Sequence, residues 1–143
     1  MSPLLDSVAD AVNPSLALFA LAVPFTRAIR QRRALVTAYL VSTAIGIAGI
    51  YAVGALDRAL GLWLRFGGDY STHTAFATSL VASMMFWKPA WRVGLGAVLV
   101  AYLALIVFVG YHSIADVAAS AVAALLVTVP GQLLARHYAS TKN

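Results

Sequence analysis

Two polar islands interrupt an otherwise apolar chain, Gly68-Asp69-Tyr70-Ser71-Thr72-His73-Thr74 and His112-Ser113-Ile114-Ala115-Asp116. Each stands where a long apolar segment begins, and ionisable groups at the margin of hydrocarbon are costly enough that they usually serve a purpose. His112 and Asp116 are four residues apart, a spacing that places them one turn apart on one helix face. A carboxylate there accepts the proton of one imidazole nitrogen, fixes the tautomer and leaves the other nitrogen free as nucleophile or base. The same spacing also suits a helix-end ion pair or a satisfied buried histidine. Ser71 reads as the N-cap of a helix starting at Thr72, which leaves free N–H groups and the positive end of the helix dipole at that point. Anions settle at such places. His73 falls in that first turn, where it could hand a proton to a leaving oxygen or be no more than an interfacial side chain. Arg58 and Arg65 are seven apart, two helical turns, and so share one face of a short amphipathic stretch. Their forked, permanently charged donors match phosphate oxygens, and equally a headgroup-facing surface. Asp69 is open to three roles: a cap, a partner to one of these arginines, or a substrate contact. Taken together these residue types describe a site that handles phosphate.

The elements that must position them are membrane helices. The chain has 143 residues, 62% hydrophobic and 10% charged, with a mean hydropathy of +0.85. Soluble domains carry about 25% charged residues, so the composition belongs to an integral membrane protein. A span needs roughly 20 apolar residues, which sets a ceiling near five spans and one domain over residues 1–143. With no cysteine, disulfides and thiolate metal sites are excluded. The N-terminus lacks the basic flank and continuous apolar core of a signal peptide.

The expected fold is an all-α polytopic bundle. Its first segment covers about Val12 to Phe25, and is either a full span drawing on Ser7 to Ala11 or a shallow, re-entrant one. A second span covers Ala34 to Leu56, followed by the amphipathic stretch Asp57 to Phe66, suited to the interface. The third covers Thr72 to Trp87, the fourth Ala90 to Gly110 and the fifth Ser113 to Ala135, with a kink expected at Pro130-Gly131. Five spans place Arg27, Arg30, Arg32, Arg33, Lys88, Arg92, Arg136 and Lys142 on one side, which the positive-inside rule makes cytoplasmic. Arg58, Arg65 and all five acids fall on the other side with both islands. The expected topology is N-terminus out and C-terminus in, with the site facing the extracytoplasmic side. This charge placement explains the net charge of +5 by membrane topology, with no nucleic-acid partner.

At this point the sequence resembles the type 2 phosphatidic acid phosphatase superfamily. That family carries three signatures: Lys-x6-Arg-Pro, Pro-Ser-Gly-His and Ser-Arg-x5-His-x3-Asp. Arg58 to Phe66 has the first spacing, with Arg for Lys and Phe for Pro. Tyr70-Ser71-Thr72-His73 matches the second at Ser and His, and His112 and Asp116 match the end of the third. The third signature's Ser-Arg falls on Leu105-Ile106, so its phosphate-binding arginine is absent, and the gap between Arg65 and Tyr70 is shorter than the family shows. The resemblance covers residues 58–116. Gly68-Asp69, Ser71, His73-Thr74 and His112-x3-Asp116-Val117 look like the sphingomyelin synthase branch, which also lacks that arginine and transfers a phospho-headgroup between lipids.

The resemblance implies a membrane lipid phosphatase of the bacterial inner (plasma) membrane, with a lipid phosphate or phospholipid as substrate and no metal or cofactor. His112 would attack phosphorus, Asp116 would hold its tautomer, and His73 would protonate the departing alcohol and then activate water or an acceptor hydroxyl. Arg58, Arg65 and the N–H groups near Thr72 would stabilise the equatorial oxygens, with Ser71 and Asp69 also in contact. Two rival readings use the same residues: a small transporter or proton relay with polar residues along its spans, and a metal site built from Asp69, His73, His112 and Asp116.

Overall fold

Long apolar runs punctuated by glycine, proline and capping residues fold into five α-helices among the described residues. The computed structural model describes residues 3–25 and 33–141, and no strand occurs among them. Helix α1 spans Pro3–Ala22 and tightens into a 3₁₀ turn over Val23–Phe25. Helix α2 spans Arg33–Leu60, α3 Thr72–Trp87, α4 Arg92–Phe108 after a 3₁₀ turn at Pro89–Trp91, and α5 Ile114–Thr141. Four segments, Pro3–Phe25, Arg33–Leu60, Pro89–Phe108 and Ile114–Thr141, are long and apolar enough to cross a membrane, as an integral membrane protein requires. The expected all-α bundle is therefore present. The cluster Arg27, Arg30 and Arg32, and also Lys142, lie outside the described residues.

Helix α3 is the exception in length. Its 16 residues reach about 24 Å at 1.5 Å per residue, short of the roughly 20 residues that a lone span needs. It can be short because it is enclosed: ten of its residues are buried, and it touches each of the other four helices. Its bounds are those expected from the sequence.

Elsewhere the boundaries move. The first segment is a full helix from Pro3, and Pro14 lies inside it, where its missing N–H deprives the Asp10 carbonyl of its helical donor. Helix α2 continues past Leu56 and takes in Asp57 and Arg58, so the expected separate stretch over 57–66 does not form. Gly61, at φ 62°, ends the helix, a 3₁₀ turn follows over Leu64–Phe66, and Gly67 closes it at φ 72°. Only glycine takes such φ values freely. Helix α5 runs through Pro130 without interruption, beyond the expected end at Ala135.

The helices alternate in direction. Three hydrogen bonds tie α3 to α5 at one constant sequence separation of 49: Ser71 N–H to Ser120 Oγ, Thr128 Oγ1 to Ser79 Oγ, and Gln132 Nε2 to Ser83 Oγ. Such constancy means two parallel helices in register. Helix α2 runs against both: Ser42 bonds to Gln132, Gly46 lies against Ser79 and Thr128, and Gly54 lies against Tyr70. Helix α4 runs against α1, with Tyr102 bonded to the Ala9 carbonyl and Trp91 stacked on Phe19.

The α2–α3–α5 seam is polar and close-packed. A Cβ on Gly46 would stand 3.2 Å from Ser79 Oγ, and one on Gly49 only 2.4 Å from Val127 Cγ1. Gln132 is fully buried; its Oε1 accepts from Trp87 Nε1 at 2.7 Å and Ser42 Oγ at 2.9 Å, and its Nε2 donates to Ser83 Oγ at 2.8 Å. Helices in lipid gain nothing from burying leucine against one another, so small residues and interhelical hydrogen bonds hold them together. Large apolar side chains such as Leu18, Val93, Val100 and Leu126 point outward.

Replacing Gln132 by Leu keeps the volume but strands the Trp87 indole N–H and removes the donor to Ser83 Oγ, while Ser42 retains its bond to the Tyr39 carbonyl. We expect a loss of about 1–3 kcal/mol, read as a lowered unfolding midpoint of the purified protein in detergent, with Ser140→Ala on the surface unchanged.

Candidate functional site

Both polar islands come to one end of the bundle, and two buried carboxylates build it. Asp57, in the last turn of α2, accepts the Trp63 N–H at 2.7 Å and folds the chain back across the helix end. Asp116, in the first turn of α5, accepts the Asp69 N–H at 2.8 Å through Oδ1. Its Oδ2 takes the Ser113 N–H at 3.0 Å and the Ser113 hydroxyl at 2.7 Å, while its own N–H donates back to Ser113 Oγ. This is a reciprocal capping box. Tyr70 fastens the same loop from below: its hydroxyl donates to the Ile50 carbonyl, its ring meets Trp63 edge-on, and burial, with Asp57 adding, pushes its phenol up to about 12.

The consequence for His112 differs from the expectation. Helix α5 starts at Ile114, so His112 lies before it and the one-turn geometry with Asp116 does not apply. Asp116 contributes charge near the imidazole, but its oxygens are spent on Ser113 and Asp69. The carboxylate that meets His112 is Asp69, whose Oδ2 is 3.7 Å from Nδ1. The His112 side chain is 13% exposed and that of Asp69 is 78% exposed. None of the three roles read for Asp69 from sequence included this one.

Ser71 caps α3 as expected. Its Oγ accepts the Thr74 N–H and its carbonyl the Ala75 N–H. The Thr72 and His73 N–H groups have no hydrogen-bond partner among the described residues. They border a cavity of about 540 Å³ between α1, α2 and α3. Arg58, Thr72, His73, Asn13 and Asp10 form its polar part, and Ala17, Tyr51 and Phe76 its apolar part. Asn13 donates through Nδ2 to the His73 carbonyl at 3.4 Å, and its buried Oδ1 has no partner among the described residues. Asp10 sets one negative charge opposite Arg58, so the cavity is a mixed site and not a uniformly basic one.

The structure therefore assembles the expected residues in two groups. Arg58, Thr72 and His73 share the cavity, with Ser71 behind them. His112, Asp69 and Asp116 form a second cluster along the adjoining loops. The α3–α5 register sets His73 level with Val122, eight residues inside the start of α5, or about 12 Å of helix. His112 thus stands farther out along the bundle axis than His73. Tyr111 fills the space between: its ring is 6.4 Å from that of His73, and its hydroxyl donates to Asp6 at 3.3 Å. Burial, with Asp10 and Asp6 adding, raises its phenol above the ordinary range. Arg65 does not reach the cavity. The turn at Gly61 separates it from Arg58, and its guanidinium donates to the Leu60 carbonyl at 3.3 Å. Among the described residues no three histidine or carboxylate side chains form a group able to hold a metal ion, so the rival metal grouping is not assembled.

Sequence reasoning missed Asn13, Asp10 and Tyr111 as neighbours of the site, since only the tertiary fold brings them there. The Ser113-x2-Asp116 box was visible as a capping pattern and could have warned that this carboxylate had other work.

Gly68 has no room to change: a Cβ there would lie 2.7 Å from Asp116 Oδ1. Gly68→Ala should displace the carboxylate and free the Asp69 N–H, speeding its hydrogen exchange by about tenfold or more, as the loss of one charge-assisted bond demands. Exchange deep in α3 should be unchanged. No family model, curated protein or solved structure matches this chain.

Proposed function

We propose that this protein is a membrane lipid phosphatase working through a phosphohistidine. One observation carries the reading: the cavity between α1, α2 and α3 is amphiphilic in the sense a lipid phosphate requires. Arg58, His73 and the α3 N-terminus lie on its polar side, and Ala17, Tyr51 and Phe76 on its apolar side. In this reading the phosphate oxygens take the Arg58 guanidinium and the Thr72 and His73 N–H groups, where fixed donors stabilise developing charge. The hydrocarbon of the substrate lies toward Phe76 and out between the helices.

In the first step a ring nitrogen of His112 forms a bond to phosphorus as the bond to the lipid oxygen breaks, and His73 gives that oxygen its proton. In the second, His73 takes a proton from water, the hydroxide oxygen bonds to phosphorus, and the histidine–phosphorus bond breaks. Asp69 keeps Nδ1 of His112 in its protonated tautomer, which directs Nε2 at phosphorus. His112 has to move inward for this, and the loop that carries it begins at Gly110, held at φ 81°. Tyr111 moves with it. The site faces the extracytoplasmic side, because Arg33, Lys88, Arg92 and Arg136 gather at the opposite end.

The seam of hydroxyl groups through α2, α3 and α5 also bears on the proton-relay reading. Between Asp57 and Arg33 on α2, and between Asp116 and Arg136 on α5, the sequence holds no ionisable side chain except Tyr39 and Tyr51. Most of the seam's polar groups are bonded to one another. That arrangement suits adhesion between helices better than conduction.

The test is phosphate release from a dispersed lipid phosphate. His112→Ala should fall to background, His73→Ala by roughly 10²–10⁴, and Arg58→Ala by roughly 10², while Arg65→Ala should change little because its guanidinium turns away. Vanadate should inhibit. Near-normal release by either histidine variant would overturn the mechanism. Release of a labelled headgroup onto an added lipid alcohol, in place of water, would assign transfer to the same site.

A further inference from the structure

A second groove lies at the opposite end of the bundle, between α2 and α5, with a volume of about 680 Å³. We propose that it binds one anionic glycerolipid from the leaflet at that end, independently of the chemistry proposed for the other face.

The walls are the sides of two antiparallel helices. Ala34, Ala38 and Ile45 line it from α2, and Gly131, Ala135 and Tyr138 from α5. The α2 positions follow helical periodicity from Ala34 to Ile45, eleven residues, or about 17 Å. That is close to the depth of one leaflet, half of a hydrocarbon core of about 30 Å. The trough therefore starts at the bundle end and closes near the midplane, as a chain from a single leaflet would fill it. Its floor is small, since alanine and glycine recede where leucine would fill the space.

Charge selects the headgroup. Arg33 is exposed at the outer end of α2, one turn beyond Thr37 on the face that lines the groove. All five acids of the sequence lie toward the other end of the bundle, at Asp6, Asp10, Asp57, Asp69 and Asp116. Lys88, Arg92 and Arg136 stand at the same end as Arg33. Basic pockets between helices on such a face attract anionic headgroups, each cation near the surface adding about 1 kcal/mol, or about fivefold in affinity.

The test compares phosphatidylglycerol with phosphatidylcholine, titrated into the full-length protein in detergent and read by native mass spectrometry and by the unfolding midpoint. Phosphatidylglycerol should bind at least about fivefold tighter, and Arg33→Ala should remove most of that preference. A Cβ at Gly131 would meet nothing within 4 Å, so Gly131→Leu fills the groove without disturbing the core and should abolish the tight binding. Gly94→Leu, at an equally open position on α4, should leave it intact. Equal binding of the two lipids by the wild type, or unchanged phosphatidylglycerol binding by Gly131→Leu, would overturn the assignment. So would a dimer that Gly131→Leu dissociates without any lipid preference, because the groove would then hold a second copy of this chain.

Discussion

The parallel pairing of α3 with α5 is the constraint on which the rest depends. Polar side chains taken into a bilayer have no water to fall back on, so each must find a partner inside the protein. Ser71, Ser79 and Ser83 find theirs in Ser120, Thr128 and Gln132 at a single register. A slip of either helix by one turn would unpair the whole ladder together. The register therefore fixes the height of the α3 N-terminus relative to α5, and with it the level of His73. It also explains how a helix too short to span alone can sit at the centre: its neighbours supply the hydrocarbon-facing surface, and it supplies the polar teeth they grip.

Above that ladder the architecture changes character. The loops of the site end are held by two carboxylates, Asp57 on the Trp63 N–H and Asp116 on the Asp69 N–H, each attached to backbone. Among the described residues neither acid forms an ion pair; both act as fixed acceptors that replace water at buried amides. Asp116 does three things at once, capping α5, holding Ser113 and anchoring the neighbouring loop, and so it is unavailable to orient His112 by a direct hydrogen bond. The exposed Asp69 takes that position. A catalytic pattern in sequence and a structural latch in space can thus share the same residue.

Much of this was legible in the sequence. The apolar runs, the Ser71 cap and the Lys88-Pro89 stop defined α3 to the residue, because each is a local signal acting over a few positions. The end of α2 was misplaced because Asp57 and Arg58 look like an interfacial stretch, whereas the helix yields only at Gly61, where a left-handed glycine gives the chain a way out. Arg58 and Arg65 accordingly lost their shared face. The cavity itself was beyond reach of any local rule, since Asn13 and His73 are 60 residues apart and meet only once α1 has docked. Gln132 was overlooked for a similar reason: a lone amide in an apolar run becomes a hub only when Trp87, Ser42 and Ser83 surround it.

The glycines divide into two groups by place and conformation. Gly61, Gly67 and Gly110 are the residues with left-handed φ among those described, and all three lie in the two loops at the site end. The glycines within α2, Gly46, Gly49 and Gly54, do the opposite work and let helices approach closely enough to lock. The left-handed turns therefore all lie beyond the last rung of the ladder, at Ser71 and Ser120. Any rearrangement that brings His112 toward His73 can take place in residues 109–113 and 61–70 without unpairing the seam beneath. The ladder thus fixes the height of His73, while Asp57, Asp116 and Tyr70 hold the loops above it through separate bonds to backbone.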